Sequence, residues 1–112
     1  MEIISNDKRF KVPISILRYQ TFWKRFRGLM FRLSPIKDEG IFICPCNSIH
    51  MFFMFFPIDV VFLDEHHQVV KTIVHLKPWH VVRPVKHAVS AIELPSGTIH
   101  KYQIKTHDKI KL

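Results

Sequence analysis

Apolar positions along the chain repeat with two different periods, and each change of period marks a change of element. Over residues 2–4 and 10–17 apolar and polar side chains alternate, and Asn6-Asp7 between the two stretches is a turn dipeptide. The chain is therefore expected to open with short strands or a hairpin. From Leu17 to Phe31 the spacing becomes helical: Leu17, Phe22, Phe26, Leu29 and Met30 share one side, while Arg18, Arg25 and Arg32 recur every seventh residue on another. This spacing predicts an amphipathic helix over Thr21 to Met30. Pro35 and Lys37-Asp38-Glu39-Gly40 then break the chain, Ile41 to Cys44 reads as a strand, and Pro45-Cys46-Asn47 marks a bend.

The densest apolar runs follow, His50 to Phe56 and Ile58 to Leu63. Asp64-Glu65-His66-His67 separates the second from Val69 to Leu76, the pattern of an antiparallel hairpin. Pro78 and Pro84 bracket a connection, Ala88 to Leu94 makes another strand, and Pro95-Ser96-Gly97 ends it. Thr98 to Tyr102 fits one helical turn, and Lys109 to Leu112 fits a closing strand. Short strands with one helix in the N-terminal half, one late helical turn and no βαβ rhythm give an α+β, β-rich fold. The expected form is a small, curled, mostly antiparallel sheet or an open barrel.

Composition narrows the class further. A chain of 112 residues fits one domain, residues 1–112, with one core, and 47% hydrophobic residues supply enough apolar surface to offset backbone entropy. The window from Ile49 to Leu63 is broken by His50, Pro57 and Asp59 and falls short of the roughly 20 residues a membrane-spanning helix needs, so no membrane partner is expected. The start of the chain lacks the basic, apolar and small-residue regions of a secretory signal, and a cytoplasmic location is the expectation. Seventeen Lys and Arg against nine Asp and Glu give a formal charge of +8, which attracts RNA, phosphorylated metabolites or acidic partners without choosing among them.

Each residue that invites a chemical role has an ordinary reading beside it. Cys44, Cys46, His50 and Met54 would share one face of an extended segment and together form a soft donor set for copper or zinc; free cysteine and methionine are equally at home in a core. Asp59 lies inside Phe56-Pro57-Ile58-Asp59-Val60-Val61-Phe62-Leu63, where an unpaired carboxylate is costly to bury. It is either a general acid or base in a cleft, or a structural group paired with an arginine such as Arg27 or accepting backbone amides. The latter is favoured. Arg18, Lys24, Arg25, Arg27 and Arg32 among Phe22, Trp23 and Phe26 mix cations with stacking surfaces, as single-stranded nucleic-acid binders do, and equally describe a helix with aromatics inward and arginines outward. Trp79, between Pro78 and His80, is either a ligand-contacting aromatic or a lid over the core. With only three glycines there is no phosphate-binding glycine loop, and neither a Gly-x-Ser-x-Gly elbow nor a His-Glu-x-x-His pattern occurs.

The ordered segments Arg27-Gly28-Leu29-Met30-Phe31-Arg32, Gly40-Ile41-Phe42, Ser48-Ile49-His50-Met51-Phe52-Phe53-Met54 and Pro57 to Asp64 resemble the uncharacterised domain of unknown function 192 family. Val69-Val70, Lys77-Pro78-Trp79, Glu93 to Thr98 and Asp108-Lys109-Ile110 extend the resemblance, which runs from about Ile16 onward. It implies a compact β-rich domain with a helix near its start, no established activity, and landmark positions at Arg27, Gly28, Met30, Met54, Asp59 and Glu93. His107-Asp108 stands where the family usually has glycine-aspartate.

The expectation is a noncatalytic domain that binds a small ligand or protein partner, with a groove near Met54, Trp79 and the basic helix. Its cofactor, if it has one, is left unnamed. The alternatives are a small enzyme using Asp59 or Glu93 as acid or base with Arg27 as anion anchor, an RNA or polyanion binder acting through the basic helix, and a copper or zinc protein.

Overall fold

A computed structural model describes residues 1–19, 32 and 34–112. The helix expected over Thr21 to Met30 lies outside the described residues, as do Arg27, Gly28 and Met30. The described elements are β1 (Glu2–Ser5), β2 (Lys8–Lys11), β3 (Ser15–Tyr19), β4 (Glu39–Ile43), β5 (Ile49–His50), β6 (Ile58–Leu63), β7 (Val69–Leu76), β8 (Val81–Val82), β9 (Ser90–Pro95), α1 (Thr98–Tyr102) and β10 (Lys109–Lys111).

The opening hairpin forms as its turn residues dictate. Ser5 pairs with Lys8, so Asn6 and Asp7 make a two-residue loop, and both adopt positive φ, 50° and 66°. Such a loop matches the right-handed twist of the flanking strands, and Asn and Asp tolerate the left-handed region better than most residues. In the β6–β7 hairpin, Asp64 Oδ1 accepts the amides of His66 at 2.8 Å and Gln68 at 2.9 Å, which closes the turn.

Strand order is β3-β4-β9-β6-β7 in a five-stranded sheet, β10-β1-β2 in a three-stranded one and β5-β8 in a short ribbon. Among the described residues the expected mostly antiparallel pairing holds in every pair of strands but one, since β3 runs parallel to β4. A parallel pair needs a crossover of a dozen or more residues, and residues 20–38 are long enough to provide it. Among the described residues the strands thus form three sheets that do not close into a barrel, and the fold is β-rich as expected.

The central sheet is buried on both faces, which explains why Ile58–Leu63 shows no apolar–polar alternation: all six residues are buried. Ile41, Ile43, Ile58, Val60, Phe62 and Ala91 join one cluster with Ile49, Met51, Met54, Phe56, Leu76 and Ala88. Phe42, Val61, Leu63, Ile92 and Leu94 face a second, closed by Ile3, Val12 and Ile14 near the chain start and by Ile99, Ile104 and Ile110 near its end. Each fully buried Leu, Ile, Val or Phe contributes roughly 1.5–3 kcal/mol. Glycine is required at Gly40 by close approach, because a Cβ there would lie 2.8 Å from Ile16 Cδ1 and 2.9 Å from Leu94 Cδ2.

Candidate functional site

Asp59 projects from β6 between Val60 and Ile58 toward the second cluster and has no exposed surface. Opposite it, β7 carries a bulge: Ile58 pairs with Leu76 but Val60 with Ile73, so one extra residue sits on β7. The bulge lies beside His75, whose φ is 53°, and the His75 amide donates to Asp59 Oδ1 at 2.9 Å. Asp59 Oδ2 accepts the amide of Ile99 at 2.8 Å, in the first turn of α1. That turn has no side-chain cap of its own, because Gly97 precedes it, and Asp59 supplies the missing acceptor from across the fold. Both oxygens are thus committed to backbone amides, the structural role favoured for this residue.

Glu93, on β9, is the other buried carboxylate of the central sheet. It sits directly across from Ile41 on one side and Val60 on the other, so it shares the first cluster's face. Its Oε2 is buried with no hydrogen-bond partner among the described residues, and burial pushes its carboxyl up to about 7. At that value it is a neutral acid through the weakly acidic range and can hold or release a proton near neutrality.

His50 and Trp79 come together at the surface. The amide of Met51 donates to the His80 carbonyl at 2.7 Å, and the Met51 carbonyl accepts the Trp79 amide at 2.8 Å. Next to this clamp β5 pairs with β8. The clamp holds four rings in a row: Phe53 meets Trp79 edge-on at 5.3 Å between centroids, Phe52 meets Trp79 at 6.2 Å, and His50 meets Phe52 at 5.2 Å. Trp79 is 55% exposed, and Phe52 and Phe53 are each 43% exposed. Phe53 and Trp79 both sit in the left-handed region, at φ 60° and 68°, which turns their side chains outward. Met54 does not line a groove with them; it is buried in the first cluster beneath.

The expected soft-metal face does not form. The extended backbone ends in a bend at Cys44-Pro45, where proline offers no amide to continue a ladder, so the even-numbered alternation stops there. Cys44 packs on the second cluster, whereas Cys46 packs on the first, where Met54 is a core residue. Among the described residues, no three His, Cys, Asp or Glu side chains group so as to hold a metal ion.

The ring cluster was hidden in a run that reads as core. Trp79 stood out in the sequence, and the adjacent pair Phe52-Phe53 is a second signal, because alternating backbone cannot bury two neighbours on one face. A second contact had no signal at all: Ser96 Oγ lies 2.7 Å from His75 Nδ1, bringing together a turn and a bulge distant in sequence. Among the described residues no helix is long and apolar enough to cross a membrane.

Comparison with known proteins agrees with this architecture. The solved structure of a protein of unknown function from Novosphingobium aromaticivorans superposes with a TM-score of 0.84 at 19% identity, covering 99% of this chain and 82% of that one. That of a putative transcription regulator from Sinorhizobium meliloti gives 0.83 at 16%, covering 98% and 89%. At such identities the likeness concerns the fold. A UPF0127 protein of Pyrococcus horikoshii is 36% identical over 114 residues, covering 97% of this chain and 96% of its own. One from Thermococcus sibiricus is 42% identical over 96 residues, covering 80% of this chain but 60% of its own, so the chain spans about three fifths of the Thermococcus relatives it matches. The profile of the domain of unknown function 192 family, described as Uncharacterized ACR, matches residues 2–112, and the chain belongs to that family.

Proposed function

We propose that this is a noncatalytic binding domain that docks single-stranded nucleic acid on the ring cluster of Phe52, Phe53 and Trp79. The observation that carries the reading is that these three large rings are exposed together, two of them on left-handed backbone. A non-glycine residue in that region costs roughly 1–2 kcal/mol, and burying the rings would have been favourable. Such strain persists where surrounding structure enforces it, and here the Met51 clamp does so. Exposed rings stack bases of any sequence, and a chain with a formal charge of +8 draws in the phosphate backbone. The platform thus replaces the basic helix as the main contact in the nucleic-acid reading.

Fluorescence anisotropy of a labelled single-stranded oligouridylate tests this. Saturable binding should weaken as salt rises, and Trp79→Ala should weaken it about tenfold, since a stacked base contributes roughly 1–3 kcal/mol. Equal affinity in wild type and Trp79→Ala would overturn the reading. Hydrolysis of the oligonucleotide by the pure protein would overturn the noncatalytic part.

A further inference from the structure

We infer that the cleft between the N-terminal hairpin and α1 is a binding site for a nucleoside phosphate. It shares no residue with the ring cluster, so the inference stands independently of the reading above. The cleft has a volume of about 440 Å3, and its walls bring Lys8, Phe10 and Lys11 of β2 together with Lys101, Tyr102 and Lys105. A cavity of this size is within the ordinary range for small-ligand sites, roughly 300–1,000 Å3.

Charge and shape select the ligand class. Four lysines meet one carboxylate, Asp108, and that group is already engaged: Oδ1 lies 3.5 Å from Lys105 Nζ, and Oδ2 accepts the Lys105 amide at 3.1 Å. Lys105 Nζ also donates to Ser5 Oγ at 2.7 Å, which ties the far wall to the hairpin. Among the described residues no carboxylate lies within ion-pair distance of Lys8, Lys11 or Lys101. Lining lysines without a carboxylate partner favour a multiply charged anion, and lysine binds phosphate as a point charge.

A ring binds beside the charge. Phe10 is 52% exposed although its cross-strand partner Ile3 is buried, so its ring is open to the cleft. Tyr102 supplies a second ring with Lys101 Nζ 5.5 Å from its centroid, a cation positioned next to a stacking surface. Phosphate on the lysines and a base against Phe10 or Tyr102 fill the cleft together, whereas inorganic phosphate uses only half of it.

The test is titration of the whole chain with ADP, AMP, adenosine and inorganic phosphate by calorimetry, with amide chemical shifts recorded in parallel. ADP should bind saturably and perturb residues 8–11 and 101–105, more tightly than AMP, with adenosine and phosphate each much weaker. The exposed positions allow substitution without loss of the fold, which a thermal melt verifies. Lys8→Ala with Lys101→Ala should weaken ADP about tenfold, a change of about 1.4 kcal/mol. Phe10→Ala should weaken ADP while leaving inorganic phosphate as it was. No saturable binding of ADP at millimolar concentration, shifts elsewhere, or equal affinity for ADP in Phe10→Ala and wild type would overturn the inference.

Discussion

Asp59 and Glu93 are neighbours on adjacent strands, register partners of Leu94 and Val60 respectively, yet they project from opposite faces of the central sheet into different surroundings. Asp59 is sealed and satisfied, both oxygens accepting amides. Glu93 is nearly as buried and leaves Oε2 unmet. The difference comes from the backbone around each. On the Asp59 side a bulge in β7 and the start of α1 free amides from regular pairing. On the Glu93 side β4, β9 and β6 run in unbroken register, so their amides are consumed by the ladders. A buried carboxylate is held by irregular backbone, and regular sheet cannot hold one.

Removing the satisfied group should have the larger effect. Asp59→Ala leaves the buried amide of Ile99 and the part-buried amide of His75 without an acceptor, at roughly 1–3 kcal/mol each, so about 4 kcal/mol of stability should be lost in urea unfolding. Asp59→Asn keeps one acceptor oxygen and should lose about half as much. If both substitutions cost no more than one at the surface, the two amides have other partners and the contrast with Glu93 collapses.

Glu93 should show itself through pH. Its folded-state value is raised from the ordinary 4.5 to about 7 by burial. Between those values the unfolded chain releases the proton and the folded chain retains it, so stability falls as pH rises through that window and levels off above about 7. The accumulated loss is about 3 kcal/mol. Glu93→Gln keeps the shape and removes the ionisation, so it should match wild type near pH 4 and exceed it by up to that amount above pH 7. The difference between the two pH curves isolates Glu93 from every other ionisable group. Parallel curves would mean that the carboxylate ionises in the fold at no cost.

What the sequence made legible follows the same division between regular and irregular backbone. The β6–β7 hairpin and the Thr98–Tyr102 turn stood out because apolar runs and turn residues are local signals. That Asp59 needed a partner was also legible, from one carboxylate in an apolar run. Its partners were not, since they are amides 16 and 40 residues away whose availability depends on a bulge and a helix start. The shared face of Cys44, Cys46, His50 and Met54 failed where the backbone bent and period-two reasoning ceased to apply. The ring cluster escaped for a related reason, left-handed backbone at Phe53 and Trp79. The lysine cleft joins segments some ninety residues apart, beyond any local pattern.

The packing of the Asp59 face can be probed without touching a carboxylate. A Cβ at Gly40 would meet Ile16 Cδ1 and Leu94 Cδ2, both against the second cluster, and stand 3.1 Å from the Glu93 carbonyl oxygen. Gly40→Ala should therefore cost about 2 kcal/mol by overpacking, read as a lowered denaturation midpoint with an unchanged urea slope. A neutral result would show that this face has slack, and that Asp59 is enclosed by its amides alone and not by close packing.

The smallest expected effect concerns a third buried carboxylate, Asp108, which belongs with Asp59 because irregular backbone satisfies it. Its Oδ2 accepts the Lys105 amide, and its own amide donates to the Lys105 carbonyl at 3.2 Å, closing a tight turn. His107 completes that turn at φ 77°, the region glycine prefers, so the histidine keeps a conformation suited to glycine and carries its strain. The contacts that matter at His107 are made by its backbone, the amide donating to Val69 and the carbonyl accepting from Gln68 Nε2, while its side chain is exposed. His107→Gly preserves these bonds and relieves the strain, so it should raise stability by about 1 kcal/mol in thermal unfolding, partly offset by the freer unfolded chain. A loss instead would assign the imidazole a stabilising contact that outweighs left-handed strain, and Asp108 would then owe its position to a side chain, unlike Asp59.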